Sequence, residues 1–381
     1  MSLSPQTDGL ADLFALRGAV PIAMDIVQPA EPYLDTAGEA LRRRIYLTRG
    51  EAGENLCLRP DFTIPVCLHH IAKDEPLPRR YSYRGLVFRQ PRSPDGPREL
   101  EQAGIEDLGD PGLAEADARA LADALAACET LGVSTGDLDV VLGDQGLFEA
   151  VLSAVGLPVG WQKRLVRTFG EDRQLDQVLD ALSDPSAIPL GDVTPELLDL
   201  ARAGEEGALI RAIRERMEEA GLPPHSGRSP QEVAQRLIEK VRAADGKLNA
   251  ASIDLLRRFL SIHCPLSEAG AKVRQLAGEA ALDLGRALGF FEARILALKA
   301  AGVDPALIAY RAAFGRPIDY YTGMVFEMRP VGGGEPVAGG GRYDRLLTLL
   351  GAREVVPAVG FSLWMERLAD RRAAVTGGES A

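Results

Sequence analysis

The apolar positions change their period twice along the chain. From Asp25 to Arg89 they come in short β-prone runs broken by Pro and Gly, such as Ile45-Tyr46-Leu47-Thr48 and Arg80-Tyr81-Ser82-Tyr83, which predicts a sheet region. Tyr83 to Arg89 and Leu100 to Leu108 flank the Pro- and Gly-rich stretch Pro91 to Pro97, so they predict two antiparallel strands joined by a long hairpin loop. Leu121, Ala124, Leu125 and Cys128 then fall at i, i+3, i+4 and i+7, one face of a helix. Leu138 to Leu142 predicts a buried strand, and Gly146 to Val155 a further helix.

Beyond Leu157 the pattern is helical as far as about Lys299, with Leu175, Val178, Leu179 and Leu182 as one example of the spacing. Thr194-Pro195 and Ser229-Pro230-Gln231-Glu232 each put a hydroxyl before a proline at the first helical position, and the second adds a glutamate at capping-box spacing. This block is expected to be a helical insertion. Strand signals resume at Asp319 to Met328 and continue after the turn Gly332-Gly333-Gly334 through Val337-Ala338 and Gly339 to Asp344. The last helix is expected to begin within Phe361 to Leu368. The expected organisation is a core in two parts, residues 1–156 and 301–372, interrupted by an insertion at 157–300 and followed by a fraying tail at 373–381.

At 381 residues, with 46% hydrophobic and 26% charged positions, the chain has ordinary globular composition and room for more than one core. No stretch reaches the apolar length needed to span a bilayer, and the first residues lack a basic segment followed by an apolar one, so a cytoplasmic protein with no membrane partner is expected. Cys57, Cys67, Cys128 and Cys264 are scattered among apolar neighbours and read as buried thiols. The four histidines, His69, His70, His225 and His263, suggest no metal site, and no cofactor is called for. A net charge of −12 argues against a broad nucleic-acid surface, though not against a local basic pocket.

Three segments concentrate polar groups within strand-like sequence: Leu58 to Thr63; Tyr83 to Arg89 with its return Glu99 to Glu106; and Arg316 to Glu327 with Gly340 to Asp344 behind it. Gln102 and Glu106, four apart on one strand, are expected on the same face. Asp61 and Glu106 suit an ammonium or an imidazole N–H, and the Arg316 fork suits a carboxylate. Tyr320 and Tyr321 are expected on opposite faces of a strand, one to reach a ligand and one to pack. Together these groups describe a pocket for a small zwitterion. Taken singly, Glu106 or Arg316 would more often be half of a structural ion pair.

Phe88-Arg89 with Gly96, Arg98 and Gln102 resembles motif 2 of the class II aminoacyl-tRNA synthetases, and Gly360 to Leu368 resembles motif 3. Asp319-Tyr320-Tyr321-Thr322-Gly323 and Gly340-Gly341-Arg342-Tyr343-Asp344 are similar to segments peculiar to histidyl-tRNA synthetase. The resemblance implies an α+β, class II synthetase-like fold, with a six-stranded antiparallel sheet flanked by helices. It also implies a histidine pocket on that sheet: residues matching Asp61, Thr63 and Gln102 at the amino group, Glu106 and Tyr321 at the imidazole, and Arg316 at the carboxylate side. Arg89 and Arg367 match the arginines that grip ATP phosphates, and with Arg98 they would mark a vestigial nucleotide site.

The departures from the synthetase fall on the ATP and tRNA functions. Pro91 stands where motif 2 has a glutamate, Leu100 where an aromatic stacks on adenine, and Pro97 near an expected arginine. Only a short polar tail follows Leu368, where the synthetase continues into an anticodon-reading domain of about a hundred residues. This pattern resembles the synthetase-like family of regulatory subunits that serve ATP phosphoribosyltransferase in the first step of histidine biosynthesis. It implies a non-catalytic chain that binds histidine for feedback control and does not bind tRNA. Its partner would be a short-form catalytic subunit, in a hetero-octamer built on a homodimer paired through the region around Ala19 to Ala30. The alternative is a truncated enzyme that activates histidine with ATP.

Overall fold

The structure is a computed structural model that describes residues 5–183, 193–219, 229–245, 250–316, 318 and 320–378. The described residues form two compact units, one within 5–150 and 259–378, the other within 151–258. The helical insertion is therefore shorter than the 157–300 expected. His263–Pro265 is a strand of the main sheet, and the helix Gly285–Ala300 packs against the helix Leu113–Thr130 of the first unit. Helical periodicity reports which face of a helix is buried, but not which core buries it. The last helix, Met365–Gly378, runs into the stretch where a frayed tail is expected, and residues 379–381 lie outside the described residues.

The first unit is built on strands β1 (Val20–Pro21), β2 (Val27–Pro29), β3 (Leu47–Arg49), β4 (Asn55–Leu58), β5 (Arg79–Phe88) and β6 (Glu99–Leu108). To these it adds β7 (Leu138–Asp144), β8 (His263–Pro265), β9 (Ile308–Arg311), β10 (Met324–Pro330), β11 (Ala338–Arg342) and β12 (Ala358–Trp364). Nine of them form one sheet, in the order β1-β5-β6-β12-β11-β10-β7-β9-β8, and β2-β4-β3 form a small second sheet. The six-stranded antiparallel sheet expected from sequence is thus replaced by a mixed sheet of nine strands. β1 joins β5 in parallel, β9 joins β7 in parallel, and the remaining pairs are antiparallel. The added strands are two to four residues long, too short for alternation to announce them.

Local signals fix several elements as expected. β5 and β6 pair from Arg79↔Leu108 to Phe88↔Glu99 around the Pro/Gly loop. Leu121, Ala124, Leu125 and Cys128 are all buried on the helix Leu113–Thr130. Ser229 and Glu232 close a capping box, Ser229 N donating to Glu232 Oε2 at 2.8 Å and Glu232 N to Ser229 Oγ at 3.2 Å. The Thr194 hydroxyl caps nothing and instead accepts from Arg216.

In the second unit Leu197, Ala201, Leu209, Ile213, Ala234, Leu237, Ile238 and Val241 form a core between its helices. In the first unit the helix Leu113–Thr130 lies on β6, β11 and β12 and carries a buried ion network. Asp117 accepts from Arg294 Nε at 2.7 Å and from Arg342 Nε at 2.8 Å; Arg294 also bonds Asp144, and Arg342 bonds Asp344 at 2.8 Å. A second cluster ties Asp107 of β6 to Arg80 at 3.0 Å and to Arg119 at 2.6 Å. Strand alternation puts Asp107 on the face opposite Glu106, so these charges sit behind the polar groups singled out above.

Candidate functional site

Asp61, Thr63, Gln102, Glu106, Tyr320 and Tyr321 are all buried, and Arg316 is nearly so, within or beside the core formed by Phe62, Tyr81, Tyr83 and Tyr343. Asp61 stands just before the helix Thr63–Lys73, where its Oδ1 accepts from Ile64 N at 3.3 Å. Thr63, the first residue of that helix, donates its hydroxyl to Glu106 Oε1 at 2.7 Å. Two further hydroxyls reach the same carboxylate, Tyr83 at Oε1 at 3.3 Å and Tyr343 at Oε2. Glu106 lies flat against β12, where only a glycine leaves room: a Cβ on Gly360 would stand 1.8 Å from Glu106 Oε2. Gly339 plays the same part for Arg316, whose Cζ would be 2.9 Å from an added Cβ.

Arg316 donates from Nη1 to the Tyr321 hydroxyl at 2.9 Å and lies 3.9 Å from Glu327 Oε2. Its guanidinium also faces the Trp364 ring at 5.6 Å. Tyr320 and Tyr321 do not alternate across a strand as expected. β10 begins only at Met324, and in the preceding turn both rings are buried, with centroids 5.3 Å apart. Tyr320 packs edge-on against Tyr343 at 5.8 Å. Pro317 and Asp319, part of the motif singled out in the sequence, lie outside the described residues.

Electrostatics distinguish two regions. In the first, burial pushes Glu106 up to about 7 even though its hydroxyl donors hold it down, and burial pushes Asp61 up to about 6 against the pull of Arg89. Asp61 Oδ2 and Gln102 Oε1 are buried without a hydrogen-bond partner, and such acceptors are costly unless a donor reaches them. In the second, burial brings Arg89 down to about 10, opposed by Asp61 and reinforced by Arg44 and Arg316. Burial likewise lowers Arg44, with Arg92 and Arg367 adding repulsion. Arg89 donates from Nε to Pro60 O at 2.7 Å, and Arg367 pairs with Glu335 at 3.3 Å. Arg98 meets Arg89 through the main chain alone, Arg89 N donating to Arg98 O at 3.0 Å, and its side chain is exposed. Leu100 is packed into the core with Tyr81 and Tyr83, an aliphatic side chain with no ring to offer.

Tyr83, Tyr343 and Arg44 were not legible as site residues. Tyr343 sits in the Gly340–Asp344 segment that the sequence singles out, but the carboxylate it serves is 237 positions away. Tyr83 shared its signal with every aromatic of a half-buried strand. Among the described residues, no three His, Cys, Asp or Glu side chains come together in a way that could hold a metal ion. None of the described helices is long and apolar enough to cross a membrane.

Comparison with known proteins bears on the family and the fold. A family model described as histidyl-tRNA synthetase matches residues 6–219 and 208–368. The chain is 52% identical to an ATP phosphoribosyltransferase regulatory subunit of Allorhizobium ampelinum, over 96% of each chain. It is 50% identical to one of Rhizobium meliloti, over 95% of this chain and 94% of the relative. It shares its fold, at a TM-score of 0.63 and 20% identity, with a crystal structure titled ATP phosphoribosyltransferase regulatory subunit/histidyl-tRNA synthetase from Bacillus halodurans, covering 96% of this chain and 77% of that one. A class II synthetase-like fold, the matching family model and identity of about one half over nearly the whole chain converge: this chain belongs to the histidyl-tRNA synthetase-like family of ATP phosphoribosyltransferase regulatory subunits.

Proposed function

We propose that the chain serves a short-form ATP phosphoribosyltransferase as its non-catalytic regulatory subunit, in the cytoplasm, and that free histidine is its ligand. The observation that carries this is an asymmetry within one site. The buried acceptors Asp61 Oδ2 and Gln102 Oε1 await a donor and Glu106 is held by three hydroxyls, while Pro91 and Leu100 leave the nucleotide side without an acceptor and an aromatic platform. An ammonium would satisfy Asp61 and Gln102, an imidazole N–H Glu106, with Tyr321 beside it, and a carboxylate Arg316. Arg89 and Arg367 remain as the residue of a nucleotide site, with Arg98 outside it.

Histidine can alter turnover only by binding two states of the assembly unequally, with a coupling typically of about 1–3 kcal/mol. The expected assembly is a hetero-octamer of catalytic chains with homodimers of this one, and tRNA is not a ligand. Val20, Ile26 and Val27, in the region assigned to self-pairing, are exposed apolar side chains, which suits such a face. Mixing the purified chains is the test: co-elution, a rise in the partner's turnover and its inhibition by histidine are expected. No co-elution and no change in turnover would make the assignment wrong. The alternative, activation of histidine with ATP, predicts histidine-dependent ATP–pyrophosphate exchange by the pure chain. None is expected, since loss of a stacking partner alone weakens adenine binding by about 1–3 kcal/mol.

Binding should also release protons. Burial raises both carboxylates, Glu106 to about 7 and Asp61 to about 6, and a ligand's N–H groups favour the ionised forms. Histidine affinity should therefore climb most steeply with pH below about 6, more gently between about 6 and 7, and flatten above, with fractional proton release near pH 7. Calorimetry in buffers of different ionisation enthalpy measures this, and proton uptake would contradict it. For folding the sign is opposite. The two folded values lie above the unfolded ones, so these groups' contribution to stability is complete below about pH 4 and is lost as pH rises through about 6 and 7.

A further inference from the structure

A carboxylate offers about four lone-pair positions, and in Glu106 three of them are already directed at protein hydroxyls. Oε1 accepts from Thr63 at 2.7 Å and from Tyr83 at 3.3 Å, the longest of the set, and Oε2 accepts from Tyr343. The Tyr83 hydroxyl also lies 2.7 Å from Ser362 Oγ and 3.2 Å from Phe361 O. When Ser362 donates to it, the single Tyr83 proton is shared between Glu106 Oε1 and Phe361 O. Both phenols are buried, and burial followed by the charge of Glu106 raises them well above the ordinary tyrosine value, which keeps them donors. One acceptor position is left, on Oε2.

We propose that Tyr83 is a specificity-determining residue. With Thr63 it fills both acceptor positions of Oε1, and with Tyr343 on Oε2 this restricts Glu106 to a single N–H donor, so that the site takes a neutral azole side chain and rejects a guanidinium, which presents two parallel N–H groups to a carboxylate. A fork needs one free position on each oxygen, and Oε1 has none. The second N–H would then be buried without a partner. This rests on the assignment of the cluster as a histidine pocket and adds to it the means by which the pocket rejects a different donor of similar reach.

Calorimetry on the full chain with L-histidine and with 2-amino-3-guanidinopropionate tests it. The unaltered chain is expected to prefer histidine by roughly fiftyfold or more, the effect of one buried unpaired N–H. In Tyr83→Phe a position opens on Oε1 beside the one already free on Oε2, the fork fits, and the preference should contract about tenfold; Tyr343→Phe opens a second position on Oε2 and none on Oε1, so its preference should stay within about twofold of the unaltered chain. General loosening of the fold would weaken both ligands together and leave the ratio unchanged. If the unaltered chain binds no histidine, the pocket assignment fails and this inference with it. If it binds histidine and the ratio is unchanged in Tyr83→Phe, the pocket assignment stands and the inference alone is overturned. Should Tyr83→Phe not fold, Thr63→Val, which opens the other Oε1 position, decides between these outcomes.

Discussion

Replacing Asp117 with Ala is expected to destabilise the chain by about 3–5 kcal/mol, the cost of removing one partner from a buried charge network. Asp117 is fully buried and accepts from both Arg294 and Arg342, each itself almost wholly enclosed. Without it Arg294 keeps Asp144, and Arg342 keeps Asp344 and the Leu113 carbonyl, but two guanidinium N–H groups lose their acceptors with no solvent to replace it. Arg294 Nη2 is already without a partner, so the network has little slack. Equilibrium unfolding in denaturant measures the loss. A cost under about 1 kcal/mol would mean that the remaining carboxylates rearrange to hold both arginines. Asp117→Asn keeps the shape and one acceptor, and it should fall between the two.

Replacing Glu106 with Ala is expected to weaken histidine binding by about 1.5–3 kcal/mol, roughly tenfold to a hundredfold, because a ligand N–H loses its charged acceptor inside a buried site. The three hydroxyls of Thr63, Tyr83 and Tyr343 lose their acceptor as well. The variant should also abolish the part of the proton release that comes from the group near 7, leaving that of Asp61 near 6. Affinity and proton release come from the same titration. If both are unchanged, the pocket is vestigial and histidine acts elsewhere.

These two expectations sit on opposite faces of one sheet, and they differ in how far the sequence could reach. Gln102 and Glu106 were legible because strand spacing and residue type suffice to propose two acceptors on one face, and Asp61, Thr63 and Arg316 because a polar group in strand-like sequence calls for a task. The motif resemblance then placed those segments in one fold and assigned them one ligand. Asp117 was not legible. It is one acid among many on an amphipathic helix, and nothing local tells an acid that faces solvent from one that faces two arginines found 177 and 225 residues further on.

The sequence by itself determined what depends on near neighbours: the β5–β6 hairpin, the buried face of the helix Leu113–Thr130, the capping box at Ser229, and the residue types of the candidate site. It also determined the family, through motifs whose order and spacing survive along the chain. Only the tertiary structure decided the short parallel edge strands, the division of the helical block at Arg258 and Phe259, and the turn that buries Tyr320 and Tyr321 side by side. It alone showed that Tyr343 and Tyr83 hold Glu106. The physical reason is common to these cases: periodicity and propensity record what a residue needs within a turn or a strand, whereas a partner across the sheet is chosen by packing, which leaves no local mark.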